Sequence, residues 1–290
     1  MTSRILWSLL LCIPFGLAGL QDQDEDEAEP SASGRVEVAR LMKTCKKCHL
    51  DQWAEWQSSR HGQSWANPVL QAAIKERDDQ GEACARCHAP DSLFVKGPGE
   101  LPDARTDDRA LGVNCTTCHN SPTRYHGPFP SEGHGGVIVD AAYLESKICE
   151  SCHGHPEANA MHEQFTTYRD SPAAKDGKRC QDCHMKEVDR QMARGRRKLR
   201  NVQKARSCRT HVFEAAHTTG KADGAATLEV RSHAGQLSVA IEPRSGHGFP
   251  ASEGRELRLK IAFHDDAGLL TFDPHQEVFV YPKRMVLPGQ

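Results

Sequence analysis

Cys-x-x-Cys-His occurs five times in this chain: Cys45-Lys46-Lys47-Cys48-His49, Cys84 to His88, Cys115 to His119, Cys149 to His153 and Cys180 to His184. In each copy the two thiols are spaced to form thioethers with the two vinyl groups of one porphyrin. The adjacent histidine brings an imidazole beneath the iron. Paired cysteines alone would also suit half of a zinc site or a redox disulfide. Neither chemistry asks for histidine as the fifth residue. With 16 histidines in 290 residues, five such coincidences have odds on the order of one in a million, against a motif that haem attachment requires. The expected cofactors are five covalently attached haem c groups. They are held by Cys45 and Cys48, Cys84 and Cys87, Cys115 and Cys118, Cys149 and Cys152, and Cys180 and Cys183. His49, His88, His119, His153 and His184 are the expected proximal iron ligands.

Each such iron has a second axial position, which another imidazole can close. Eleven histidines lie outside the motifs, a surplus over what a globular chain of this length ordinarily carries. The candidate distal ligands are His61, His126, His134, His211 and His217. His61 closes a stretch with Trp53 and Trp56, which can wall a haem edge. His126 and His134 lie in a Gly/Pro-rich loop, and His211 and His217 are six residues apart. His155, His162 and His247 form a second tier. His233, His264 and His275 fall in a β-patterned region and read as ordinary surface histidines. Glycines on both sides of His247 favour a tight turn with a solvent-facing ring over an imidazole pushed into the haem core.

The elements that must hold these groups are short. The first cysteines of successive motifs are 39, 31, 34 and 31 residues apart, too little for independent haem domains, so the sites share one packed unit. Asp51 is a candidate cap for a helix carrying Trp53 and Trp56 toward His61. Asn67-Pro68 reads as an N-cap with proline at the first helical position. Asp140 is placed to start a helix running through Tyr143, Leu144 and Ile148, and Pro156 to open another through Met161, Phe165 and Tyr168. Gly97–Pro102 and Ser121–Gly136 read as loops. Arg190 to Arg209 holds nine Lys/Arg and no acid. That is either a solvated helix face or a basic patch for propionates, the acidic linker or an anionic redox partner. After Gly220 the periodicity changes to two, with strand signals at Ala226–Ser232, Gln236–Glu242, Glu256–His264, Leu269–Phe272 and Glu277–Tyr281.

The fold class expected is therefore a mainly α, haem-packed core of short helices and long loops, followed by a small antiparallel, sandwich-like β domain. The boundaries are 1–18 for a signal peptide, 19–40 for an acidic flexible linker, 41–220 for the five-haem region and 221–290 for the β-rich region. The first segment has one arginine, an apolar run from Ile5 to Leu20 and small residues near Ala18, the pattern of a secretory leader. Export fits thioether attachment outside the cytoplasm, and an uncleaved leader would instead tether the protein to the membrane. Hydrophobic residues make up 38% of the chain and aromatics 6%, a lean core that five flat macrocycles would fill. Of twelve cysteines, ten belong to the motifs and Cys12 to the leader. Cys208 is left as a buried small hydrophobe. A net charge of −2 gives no basis for nucleic-acid binding. The expected partners are other redox proteins, periplasmic or membrane-bound.

Three stretches carry a family resemblance. They are Trp53-x-x-Trp56-x-x-Ser59-x-His61 after the first motif, Met185 directly after the last one, and His211-Val212-Phe213-x-x-x-His217. Together they resemble the cytochrome c554 family, periplasmic multihaem electron carriers related to the haem core of hydroxylamine oxidoreductase. Gly246-His247-Gly248-Phe249-Pro250, followed by Gly254-Arg255-x-Leu257-Arg258-Leu259, resembles a Gly-His-x-x-Pro-Thr-Gly element that opens the β domain of such proteins. Here Ala251-Ser252 replaces Thr-Gly. The resemblance spans Leu41 to Gly268. It implies mostly bis-histidine haems in closely stacked pairs, with distal roles for His61, His211 and His217.

Two functions compete. An electron carrier needs only closed, low-spin irons and no substrate pocket, and the abundance of spare histidines favours it. A nitrite- or hydroxylamine-type oxidoreductase needs one open iron with proton donors and an anion-holding group nearby, for which Arg124, Tyr125 and His126 are candidates. A haem-bearing sensor that binds a partner through its β domain is a third class.

Overall fold

The structure is a computed structural model and describes residues 37–121, 123–131, 133–158, 163–194, 205–250, 255–270 and 275–280. The expected leader, most of the expected acidic linker, His162 and the most basic stretch, 195–204, lie outside the described residues. The described chain combines short helices with small two-stranded sheets. Ten α-helices follow in order: α1 Val38–Cys48, α2 Leu50–Ser58, α3 Pro68–Lys75, α4 Glu82–His88, α5 Leu93–Lys96, α6 Cys115–His119, α7 Lys147–Glu150, α8 Gln164–Arg169, α9 Pro172–Lys175 and α10 Cys180–His184. None of them is long and apolar enough to cross a membrane.

Local chemistry explains the helix starts. Asn67 caps α3 as expected: its Oδ1 accepts the N–H groups of Val69 at 2.9 Å and Leu70 at 3.5 Å, and Pro68 takes the first helical position. Helix α2 begins one residue before Asp51, which therefore sits in the first turn, where its charge suits the helix dipole. Asp140 does cap, accepting the Ala142 N–H at 2.9 Å, but only a 3-10 turn over Ala141–Leu144. Glu145 then takes an extended conformation (φ −126°), so Ile148 falls in the separate α7. Pro156 likewise opens a single 3-10 turn, and Phe165 and Tyr168 belong to α8.

Two strand pairs lie where loops or a helix face were expected. β1 (Tyr125–Gly127) runs parallel to β2 (Val137–Val139), and β3 (Glu187–Arg190) runs antiparallel to β4 (Arg206–Arg209). In the C-terminal region β5 (Ala226–His233) and β6 (Gln236–Pro243) form one hairpin. β7 (Glu256–Ile261) pairs with β8 (His275–Val280) in a second. The register puts Leu228 opposite Ile241 and Val230 opposite Val239 on one face, the period-two pattern anticipated for this region. Among the described residues the two hairpins remain separate two-stranded ladders, not one continuous sheet.

Buried apolar side chains are few and mostly modest in size: Leu41, Met42, Trp56, Ala85, Ala89, Leu93, Leu101 and Cys208. Trp56 ties α2 to the approach to α6, donating its indole N–H to the Val113 carbonyl at 2.7 Å. Gly112 completes that junction. With φ +57°, its position would bring a Cβ within 2.5 Å of the His61 carbonyl oxygen, so glycine alone lets the two segments meet there. Cys208 is buried, with its thiol 3.5 Å from the Val188 carbonyl.

Candidate metal centres

Each Cys-x-x-Cys-His copy lies on a single helical turn or a short run of turn. The first motif closes α1, the second lies in α4, and the third and fifth make up α6 and α10. The fourth begins in α7 and ends in the turn after it. Residues at i and i+3 of a turn share one side, and i+4 follows on the same face. The backbone confirms that spacing: the His49 N–H donates to the Cys45 carbonyl, and the His153 N–H to the Cys149 carbonyl, both at 2.9 Å. Asn114 sets the third copy with a capping box, its Oδ1 accepting the Thr116 N–H at 2.9 Å.

Four motif histidines face a second imidazole. Ring centres are 5.9 Å apart for His49 and His134, 6.0 Å for His153 and His61, 6.1 Å for His119 and His211, and 6.2 Å for His184 and His247. Stacked rings would close to carbon contacts of about 3.5–4.0 Å. Two metal–imidazole bonds of about 2.0 Å, plus about 1.1 Å from each nitrogen to its ring centre, require close to 6 Å. The spacing suits an iron with two axial imidazoles. Among the described residues no three His, Cys, Asp or Glu converge as a compact metal site would need.

Backbone carbonyls orient these rings. Nδ1 of His49 faces the Met192 carbonyl at 2.7 Å, Nδ1 of His119 the His126 carbonyl at 3.0 Å, and Nδ1 of His184 the Glu214 carbonyl at 2.5 Å. His247 Nδ1 faces the Gly248 carbonyl at 2.9 Å. A ring that donates from Nδ1 keeps Nε2 unprotonated as the ligating atom, and the same hydrogen bond raises its basicity. Burial pushes His61 down to about 4 and His211 to about 3, with nearby imidazoles adding to the effect. Both rings are therefore neutral at ordinary pH, the form a metal accepts.

Two of the expected distal histidines, His126 and His217, are not opposed to a motif imidazole among the described residues. His126 stacks on Phe94 at 4.0 Å, while its carbonyl receives the His119 Nδ1 hydrogen bond. Pairing of β1 with β2 thus brings the His126 backbone against His119, while both nitrogens of its buried ring lack a hydrogen-bond partner. His217 is exposed in a turn, and no imidazole faces it among the described residues. His247 takes a place the turn reading denied it. The loop is pinned inward by the Gly248 N–H donating to Thr167 Oγ1 at 2.9 Å, and the ring settles opposite His184. The sequence signal for this was the glycine-flanked histidine itself. Of the remaining histidines, His155 accepts the Glu157 N–H at Nδ1 and His264 Nδ1 lies 3.1 Å from the Gly268 carbonyl. His233 is exposed at the end of β5 and His275 opens β8.

His134 and Phe213 have left-handed backbones, with φ of 59° and 53°. Such conformations cost a non-glycine residue about 1–3 kcal/mol and persist where surrounding structure imposes them. A half-buried ion pair holds the His211 segment. Glu55 on α2 meets Arg190 at 2.6 and 2.9 Å, and its Oε2 also accepts the His211 N–H at 2.9 Å. Burial raises the Glu55 carboxyl, but these hydrogen bonds outweigh it and hold the group below its ordinary range. Glu55→Ala would remove the carboxylate partner of the Arg190 guanidinium, whose side chain is only 15% exposed, at an expected cost of about 1–2 kcal/mol. A lowered denaturation midpoint checks this, and an unchanged one refutes it.

The thiols show how the motifs adjoin. Cys45 lies against Cys115, Cys87 against Cys152, and Cys149 against Cys180, and each contact lowers the first-named thiol of Cys45/Cys115 and Cys87/Cys152 and raises its partner. Cys149 in turn draws Cys180 down to about 7. Burial lifts Cys118 to about 12, and this thiol also neighbours Cys149 and Cys152. The fourth motif therefore adjoins the second, third and fifth, and the first joins through the third.

Thiol-bearing turns with opposed imidazoles define a multihaem c-type cytochrome, and comparison with known proteins agrees. Residues 44–120 match the family described as cytochrome c554 and c-prime, a similarity that implies covalently bound haem c. The chain is also similar to a protein named cytochrome c nitrite reductase subunit NrfA from Nitratidesulfovibrio vulgaris, at 26% identity over 195 residues. The match covers 52% of this chain and 35% of the relative, so the chain spans about a third of that protein's length. No solved structure matches.

Proposed function

We propose that this chain is an exported, periplasmic five-haem cytochrome that carries electrons between redox proteins, with residues 41–220 as the five-haem region and 1–18 as a leader. The observation that carries the reading is the set of four opposed imidazole pairs at 5.9 to 6.2 Å. Bound haem iron supplies one-electron exchange at a potential set by its axial ligands and burial. The protein's part is to close the axial positions, fix each ring through its Nδ1 partner and keep the sites adjacent. The contacts among Cys45/Cys115, Cys87/Cys152 and Cys149/Cys180 support adjacency throughout. The C-terminal β-rich region takes part through His247, and the macrocycles would complete a core that the apolar side chains only begin.

A second reading is favoured by one observation. Among the described residues no ring is opposed to that of His88 as in the four pairs, although His61 lies near enough to feel its charge. The His88 carbonyl accepts Ser64 Oγ at 2.7 Å, and burial pushes the ring's pKa down. An open position there would suit a small-molecule oxidoreductase, and the similarity to a nitrite reductase subunit points the same way. Intact mass and ferric EPR test the primary reading together. Five attached haems with four low-spin signals are expected; fewer haems, or a mainly high-spin spectrum, refute it.

A further inference from the structure

The four opposed imidazole pairs fall into two classes by the angle between their rings. His184 and His247 are 10° apart and His49 and His134 are 24° apart, close to parallel. His119 and His211 are 42° apart and His61 and His153 are 47° apart, clearly twisted. One side chain touches a member of each twisted pair and of neither parallel pair. The Phe213 ring lies 4.1 Å from His61, inclined at 59°, and 5.9 Å from His211, edge-on at 87°. We propose that Phe213 is a positioning residue that sets the twist of both pairs, and through it the electronic state of two haem sites. The proposal rests on the axial pairing argued under the proposed function.

The backbone shows that Phe213 is held in place. A bulky residue at φ 53° is a strained exception, and its neighbours are anchored on both sides. The His211 N–H donates to Glu55 at 2.9 Å, and the Glu214 N–H donates to the His184 carbonyl at 3.0 Å while the Glu214 carbonyl faces His184 Nδ1. With both ends fixed, the left-handed turn aims the aromatic ring between two imidazoles. An edge-on or inclined ring meets an imidazole with favourable electrostatics, whereas a parallel ligand pair at either site would bring His61 or His211 into a different contact with it.

Twist has a direct spectroscopic signature. In low-spin ferric haem, parallel axial imidazoles split the iron d orbitals strongly and give a rhombic EPR signal. Twisted planes reduce the splitting and raise the largest g value. The native protein is expected to show two rhombic signals and two of raised g. His61→Ala and His211→Ala each remove one raised-g signal, which assigns them; if neither removes a low-spin signal, the axial pairing itself fails. Phe213→Leu is expected to move both raised-g signals toward the rhombic type at once and to leave the other two unchanged. Phe213→Tyr, which keeps the ring, should preserve all four. If Phe213→Leu does not mature with its haems, Phe213→Met, similar in volume but without a flat ring, carries the same expectation. With the pairing assigned, a Leu or Met variant in which both raised-g signals stay put, or only one moves, overturns the proposal.

Discussion

Reduced protein exposed to carbon monoxide is expected to take up one equivalent per chain, at the site of Cys84, Cys87 and His88. Carbon monoxide needs a vacant axial position on ferrous iron, and imidazoles opposed at about 6 Å leave none. Four of the five motif histidines are paired in that way. His88 is the exception among the described residues, so about a fifth of the haem absorbance should shift. His61→Ala is expected to raise the uptake to two equivalents without releasing haem, because the Cys149 and Cys152 thioethers remain. Uptake of none by the native protein would mean that His88 is closed by another ligand, and uptake of several would break the pairing scheme.

His247→Ala is expected to convert one further low-spin site, that of His184, to a form that binds carbon monoxide. The ring lies 6.2 Å from His184 with planes 10° apart, and the loop behind it is fixed by Thr167 on α8. Removing residues 224–290 should give the same spectrum, with all thioethers intact, because no Cys-x-x-Cys-His copy lies in that region. The two variants together separate ligand loss from general unfolding. A truncated protein with an unchanged low-spin spectrum would show that His247 does not ligate.

Those two results turn on interactions of opposite legibility. The five motifs, and the turn each occupies, can be read directly, because thiol and imidazole spacing is a property of five consecutive residues. The Asn67-Pro68 helix start is equally local. Distal pairing is not: His134 meets His49 across 85 residues and His247 meets His184 across 63. Composition names histidines as candidates but cannot rank them. His126 looked as good as His134, yet among the described residues its ring lies against Phe94 and not opposite a motif imidazole, a placement that depends on the parallel pairing of β1 with β2. His247 looked like turn chemistry because the glycines that let a chain bend freely are the same ones that let it deliver a ring. Asp140 shows the reverse error: a sound cap for a helix that stops after one turn, because Glu145 is extended.

The thiol contacts bear on how such a chain is made. Cys45 rests against Cys115 and Cys87 against Cys152, so sites that adjoin in space are interleaved along the sequence. A chain emerging from its amino end holds the first two motifs before their neighbours exist. In an oxidising compartment, bare thiols brought together in this arrangement would join as disulfides, through thiolate attack and oxidation. Those links would bridge separate motifs and consume the sulfurs each porphyrin needs. On the five-haem, exported reading, cofactor attachment would therefore run ahead of tertiary collapse, motif by motif, on a chain still extended enough to keep its cysteines apart.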